Sequence, residues 1–248
     1  MPEYIWGRNP VLETLHSVRQ VKKVLLVEGQ RESPPIAAIM HEAEKQHVPV
    51  EFVPRTRLDQ LSKGAVHQSC VALVEERRYA DLDEILALAI RKQDPPFLLL
   101  LDAIQDVNNL GSLLRTAEAV GVHGVVIPEH RAAEINATVV KTSAGATEHL
   151  LIAQEQNLTR TIDYLKKQNI WVAGLAGEAS ALYTQANLAG PLALVVGNEG
   201  KGISRLVREH CDVLIKLPMN GYINSLNAAV AGSIALYEAL RQRDQASK

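Results

Sequence analysis

Apolar residues in this chain recur in short runs separated by stretches with helical spacing. Val21–Val27, Val50–Val53 and Gln68–Val74 read as strands. Ile36 to Gln46, opened by Pro34-Pro35, and Thr56 to Ser62, stopped by Gly64, read as helices. Proline suits a first helical turn, where its missing N–H has no intrahelical partner to lose. After Pro96 the alternation strengthens. Phe97–Leu101 is a continuous apolar run, the pattern of a strand buried on both faces. Helix Leu110–Val120 follows and ends at Gly121. Val125–Ile127, Leu150–Ala153, Ile170–Ala173, Leu192–Val196 and Val213–Leu217 read as further strands, with helices between most of them. The last stretch, Ile215 to Arg241, crosses from a strand through a Pro/Gly turn into a long helix that carries Leu226, Val230, Ile234 and Tyr237 near one face. Strand–helix alternation predicts an α/β fold with a parallel sheet.

A composition change divides the chain. Glu75-Glu76-Arg77-Arg78 is charged, Asp94-Pro95-Pro96 is a break, and Leu82 to Ile90 between them reads as a helix. The expected division is a first domain at 1–76, a linker at 77–95 and a second domain at 96–248. The 248 residues are 47% hydrophobic, enough for a sizeable core. No apolar run reaches the roughly 18 residues of a membrane span, and MPEYIWGRNP lacks the basic and apolar regions of a secretory signal. Cys70 and Cys211 imply no disulfide framework and fit a reducing cytoplasm. A net charge of -2 argues against a molecule coated in basic charge. It leaves room for a local basic groove, because only the face that meets phosphate must be positive.

Three polar blocks fall at the carboxyl ends of predicted strands, where α/β proteins place ligand chemistry. The first is Asn108-Asn109-Leu110-Gly111 with Arg115. Asn109 reads as the N-cap of the helix, and Arg115 lies one turn beyond the bare Gly111 on the same face. The plain alternative is a capped helix with one exposed arginine. The second is Gly197-Asn198-Glu199-Gly200-Lys201-Gly202. It fails the P-loop pattern because Val195 stands where the first glycine belongs, and the dinucleotide pattern because Arg205 stands where the third belongs. The third is Asn224-Ser225-Leu226-Asn227, with Ser225 as a possible helix cap; it lacks the flanking glycines of a serine nucleophile. His123, His130, His149 and His210 lack metal-ligand spacing and read as surface or loop residues.

Set in order, Asn109-x-Gly111-x-x-x-Arg115, Gly197-Asn198-Glu199-Gly200-x-Gly202, and Leu217-Pro218-Met219 with Ser225-Leu226-Asn227 resemble the three motifs of the SpoU (TrmH-like) RNA ribose 2′-O-methyltransferases of the SPOUT superfamily. The likeness spans about Pro95 to Arg243. Gly7-x-x-x-Val11 and Gly64-Ala65-Val66-His67-Gln68 are similar to that family's substrate-binding domain, although Ser69 stands where a glycine is usual. Full-length similarity points to the bacterial 23S rRNA guanosine 2′-O-methyltransferases. The resemblance implies a C-terminal parallel-sheet SPOUT domain with a deep trefoil knot, an exception to the general avoidance of knots. It also implies a small N-terminal α/β domain, similar to ribosomal protein L30e, that grips RNA. S-adenosyl-L-methionine is expected in the knot, against Gly197, Leu217, Met219 and Leu226. A homodimer through the knot region is expected, with 23S rRNA as partner and no metal.

The implied catalytic set is Asn109, Arg115, Glu199, Ser225 and Asn227. Arg115 activates the ribose hydroxyl, either as a base or as a fixed cation; arginine stays protonated in proteins, which favours the cation. Glu199 orients Arg115 or accepts the proton, and Ser225 and Asn227 position the ribose or hold the turn. Candidate phosphate contacts are Arg8, Arg19, Lys22, Lys23, Arg55 and Arg57 in the first domain, and Arg115, Lys141 and Arg205 in the second. Methylation of another rRNA or tRNA site and a catalytically silent RNA-binding homologue stay open as alternatives. A Rossmann-type oxidoreductase has only the strand–helix alternation in its favour.

Overall fold

The computed structural model describes residues 3–30, 33–223 and 225–246. Asn224 of the third block lies outside the described residues. The chain forms two compact units, Met1–Arg78 with Ile135–His149, and Tyr79–Glu134 with Leu150–Lys248. The first opens with β1 (Glu3–Trp6), α1 (Arg8–His16), β2 (Val21–Val27), α2 (Pro34–Lys45), β3 (Val50–Val53), α3 (Arg55–Leu61) and β4 (Cys70–Val74). The second begins with α4 (Leu82–Lys92), β5 (Phe97–Asp102), α5 (Val107–Ala119) and β6 (Gly124–Pro128). The chain then returns to the first unit as α6 (Ala137–Thr142) and a 3-10 turn (Ala146–Glu148). β7 (Leu151–Glu155), α7 (Leu158–Lys167), β8 (Trp171–Leu175), β9 (Ala181–Leu182), β10 (Leu192–Gly197), α8 (Arg205–His210), β11 (Val213–Lys216) and α9 (Ala228–Ala246) complete the second.

The first unit is built on a sheet of order β1-β4-β2-β3, antiparallel except for the β2–β3 pair. Its core gathers Ile5, Val24, Leu26, Ile39, Leu58 and Val71, and the returning segment adds Ala137 and Val140. Glu148, with its side chain 1% exposed, pairs there with the guanidiniums of Arg19 and Arg77. A carboxylate so buried is tolerable only when paired, and Arg19 also pairs with Glu3. Gln68 and Ser69 both hold positive φ, 55° and 66°. That left-handed backbone is the reason a glycine is usual at position 69.

The second unit holds a sheet of order β7-β6-β5-β10-β8-β11-β9, with every pairing parallel. β5 and β10 sit side by side in it, and every residue of both is buried. Side chains alternate between faces. Leu98, Leu100, Ala193 and Val195 pack against Ile85 of α4 and Ile162 and Leu165 of α7. On the opposite face α9 lies close to α5 and β10. A Cβ on Gly232 would sit 2.6 Å from Leu113 Cδ2 and 3.1 Å from a Val196 methyl. Thr116 Oγ1 and Ser233 Oγ share a hydrogen bond of 2.8 Å across the same helix pair. No helix among the described residues is long and apolar enough to cross a membrane.

Several expectations are corrected. α5 begins three residues before Leu110, and its cap is Asp106, whose Oδ1 accepts from the backbone N–H of Asn108 (2.9 Å) and Asn109 (2.8 Å). Asn109 is therefore inside the first turn and its side chain is free for other work. α9 is capped by Asn227, whose Oδ1 accepts from the N–H of Ala229 (2.9 Å) and Val230 (3.2 Å), so Ser225 is not the cap. The face bearing Val230, Ile234 and Tyr237 is exposed; the buried face is Ala228, Ala229, Gly232, Ala235, Leu236 and Ala239. His123 is buried, not a surface residue, and its Nδ1 accepts from Phe97 N–H at 3.0 Å. Burial pulls its pKa below the usual histidine value, against the opposing pull of Asp94.

Candidate active site

A pocket of about 310 Å³ opens at the carboxyl ends of β8, β10 and β11. Three segments wall it, and each follows a strand. The first is Gly197–Gly202 after β10, the second is Leu217 and Met219 after β11 with Ser225 and Leu226 before α9, and the third is Leu175–Glu178 after β8. All four residues expected at the cofactor, Gly197, Leu217, Met219 and Leu226, are on its wall, together with Glu199 and Ser225. The 175–178 segment was missed from the sequence. Its signal was present: an apolar strand that ends in Leu175-Ala176-Gly177 has the form of the other strand ends.

The 197–202 turn is held by backbone and by one side chain. Asn198 and Gly202 exchange two backbone hydrogen bonds, of 3.1 and 2.8 Å. Asn198 Oδ1 accepts from Gly200 N–H (2.9 Å) and Lys201 N–H (3.3 Å), and its Nδ2 donates to Ala103 O (3.0 Å). Gly197 is packed so tightly that a Cβ would meet the Gly202 carbonyl carbon and Ile203 N at 2.2 Å. Only glycine fits there, and the reason is the fold of the turn itself.

Asn109 draws the three blocks together. Its Nδ2 donates to Glu199 Oε1, and its Oδ1 accepts from Asn227 Nδ2 at 2.8 Å. Glu199 Oε2 accepts from Asn198 Nδ2 at 3.2 Å. Glu199 thus anchors amides and is not paired with Arg115, contrary to one expectation. Arg115 is exposed, and its side chain has no hydrogen bond or ion pair among the described residues. Asn109, Arg115 and Asn227 lie off the pocket wall.

Most of the expected phosphate contacts are occupied within the chain. Arg19 is tied to Glu3 and Glu148, Lys23 to Glu51 at 3.0 Å, Lys22 to Glu75 at 3.9 Å and Arg205 to Glu209 at 2.7 Å. Arg8 Nε donates to Gln68 O at 3.2 Å. Lys141 belongs to the first unit, donates to Val66 O, and its pKa is lowered by burial. Arg55 and Arg57, like Arg115, keep exposed side chains without partners among the described residues.

Comparison with known proteins adds the context of relatives. The SpoU rRNA Methylase family profile matches residues 96–237, and the profile for RNA 2′-O ribose methyltransferase substrate binding matches residues 4–80. YacO of Bacillus subtilis (strain 168), provisionally named a TrmH family tRNA/rRNA methyltransferase, is 46% identical over 98% of this chain and 96% of its own. The 23S rRNA (guanosine-2′-O-)-methyltransferase RlmB of Escherichia coli (strain K12) is 43% identical over 98% of this chain and 100% of its own. The SpoU methyltransferase AviRb of Streptomyces viridochromogenes, solved in complex with AdoMet, superposes with a TM-score of 0.80 at 25% identity, covering 98% of this chain and 91% of that one.

Proposed function

The chain belongs to the SpoU rRNA methylase family and is an S-adenosylmethionine-dependent RNA ribose 2′-O-methyltransferase; from that premise we propose that it methylates a guanosine ribose of 23S rRNA in the peptidyl-transferase region. The observation that carries the site is the Asn109 amide, joined at once to Glu199 and Asn227 beside the 310 Å³ pocket. The 43% identity to RlmB along the full length supports the 23S guanosine.

The pocket suits the cofactor. Adenosine and amino-acid parts require apolar walls with a few converging polar groups. Leu217, Met219 and Leu226 supply walls, and the backbone of 197–202 supplies polar groups. When bound, S-adenosylmethionine supplies a methyl group on a sulfonium sulfur, which is already activated for transfer. The chain must then hold the ribose so that its 2′-oxygen is aligned, and ease the loss of the hydroxyl proton. Arg115 is the cation that stabilises charge developing on that oxygen, and its planar fork also suits an adjacent phosphate. An amide has two N–H groups and two oxygen lone pairs. Asn109 therefore keeps one donor and one acceptor for the substrate after bonding Glu199 and Asn227. Ser225 presents its hydroxyl from the pocket wall.

On this reading the first unit, residues 1–78 with 135–149, grips RNA and the second methylates, in the cytoplasm where rRNA is made. The 197–227 region forms the trefoil knot. The exposed apolar stripe Val230, Ile234 and Tyr237 on α9 is the surface that meets a second copy; sedimentation as a monomer at micromolar concentration would refute the dimer. The substrate is tested by mapping ribose methylation in cells lacking the protein. Loss of one 2′-O-methylguanosine from 23S rRNA is expected. Loss of a tRNA methyl group instead would favour the wider naming of the YacO relative, and an unchanged map would reject both.

A further inference from the structure

We propose that a second cavity of the methyltransferase unit is a nucleotide subsite for the substrate strand, its phosphate held by Arg131 and Lys201; this rests on the RNA methyltransferase reading. The cavity measures about 510 Å³ and opens at the carboxyl ends of β7, β6, β5 and β10. Parallel sheets bind ligands in crevices outside the carboxyl ends of their strands. The 198–202 turn divides this sheet edge in two. Asn198, Lys201 and Gly202 line both the cofactor pocket and the second cavity, so an occupant of the second lies next to the methyl donor's site.

Three features specify the occupant. Charge is the first. Arg131 and Lys201 line the cavity, are exposed, and have no side-chain partners among the described residues. The one carboxylate on the lining, Asp102, already accepts from Ser204 N–H at 2.6 Å. In a chain of net charge -2 this is a local positive site, aided by the first turn of α7 with its Asn157 cap. The second feature is an apolar surface. Leu206, 54% exposed, and Pro128 lie on the lining and offer a base somewhere to rest. Backbone is the third. Ala103 and Arg131 both hold positive φ, 59° and 62°, and strain of this kind collects at binding sites. Free cations, an exposed apolar surface and room for one nucleotide, beside the site of methyl transfer, fit a neighbour of the target ribose.

The full-length protein and a 23S rRNA fragment test this. In Arg131→Glu, RNA binding should weaken about tenfold, and KM should rise alike. The slope of log affinity against log salt should become shallower by about 1 for each lost phosphate contact. The S-adenosylmethionine Kd and the kcat at saturating RNA should hold within twofold. Arg131→Lys should restore most of the affinity. If Arg131→Glu fails to fold, Leu206→Asp at the exposed mouth reads the same quantities. Folded variants with parental RNA affinity and salt slope would overturn the subsite while leaving the methyltransferase reading intact. A parent protein that methylates no RNA would instead sink that reading. Competition by guanosine monophosphate or inorganic phosphate as strong as by RNA, at equal phosphate concentration, would assign the cavity to a free small anion and overturn the proposal.

Discussion

Asn109 has two polar neighbours that both depend on it. Replacing it with alanine leaves Glu199 Oε1 and Asn227 Nδ2 without their shared partner. The groups are exposed, so the stability cost should stay within about 1 kcal/mol, while lost positioning lowers kcat by roughly tenfold or more. Arg115→Ala should give the sharper split: roughly a hundredfold slower transfer with an unchanged melting temperature, since Arg115 bonds to nothing among the described residues. Single-turnover methylation and thermal unfolding read both variants. A pH–rate profile shifted upward in Arg115→Lys would argue for proton transfer against electrostatic stabilisation. The cysteines make a separate prediction. Burial pushes the Cys70 thiol up to about 12, against Arg8, and pushes Cys211 up to about 11, with Asp212 adding to the rise. Both remain thiols at pH 8, so native protein should resist alkylation there. A thiol whose folded pKa lies above its unfolded value stabilises the fold fully below the unfolded pKa of about 9, and that contribution is lost as pH climbs towards 11 and 12. Urea unfolding should show stability falling across that window, and rapid alkylation of the native protein would contradict the burial.

At this scale the site residues were legible as types but not as partners. Asn109 was visible as a cap candidate because asparagine beside a helix start commonly caps. Asp106, three residues earlier, took that role, and nothing local in the sequence separates the two. The Glu199–Asn109–Asn227 connection joins positions 90 and 118 residues apart, which periodicity cannot reach.

Among the elements, two glycines make opposite predictions. Gly197→Ala forces a methyl to within 2.2 Å of the backbone of Gly202 and Ile203. Backbone cannot rotate away, so the cost belongs at or above the upper end of the roughly 1–3 kcal/mol of overpacking, and S-adenosylmethionine binding should be lost with the turn. Gly232→Ala meets the far end of Leu113, which can change rotamer, and the Val196 methyls at 3.1 and 3.4 Å, which need give by only a few tenths of an ångström. The alanine also recovers about 1 kcal/mol of helix propensity, so the melting temperature should barely change. A stable, cofactor-binding Gly197→Ala would refute the packing account. The α9 faces show why element existence is easier to read than orientation. That Val230, Ile234 and Tyr237 share a face was legible, but which face turns inward was not: close approach to α5 selects Ala228, Gly232, Ala235 and Ala239 there. Size normally favours burial; a tight helix pair reverses the preference.

For the whole molecule, strand–helix alternation sufficed to give the parallel sheet, because βα units leave few other arrangements. The return of residues 135–149 to the first unit was invisible. A six-residue helix between two strands looks like any crossover, and only the burial of Ala137, Val140 and Glu148 reveals where it belongs. A fragment of residues 1–78 should therefore be poorly folded. It exposes the core that Ala137 and Val140 cover and leaves Arg19 and Arg77 without Glu148. Joining residues 135–149 to that fragment through a flexible linker should restore cooperative unfolding, and circular dichroism melts of the two fragments decide it.

That returning segment also sets a timetable. During translation the amino-terminal unit cannot finish when its own first 78 residues leave the ribosome. It waits for about 70 more residues, several seconds at roughly 5–20 residues per second. In that interval β5, α5 and β6 have already emerged. The nascent chain carries an open core on one unit while half-building the other, so a chaperone that recognises apolar surface has a defined window in which to bind, closing once residue 149 is clear of the exit tunnel.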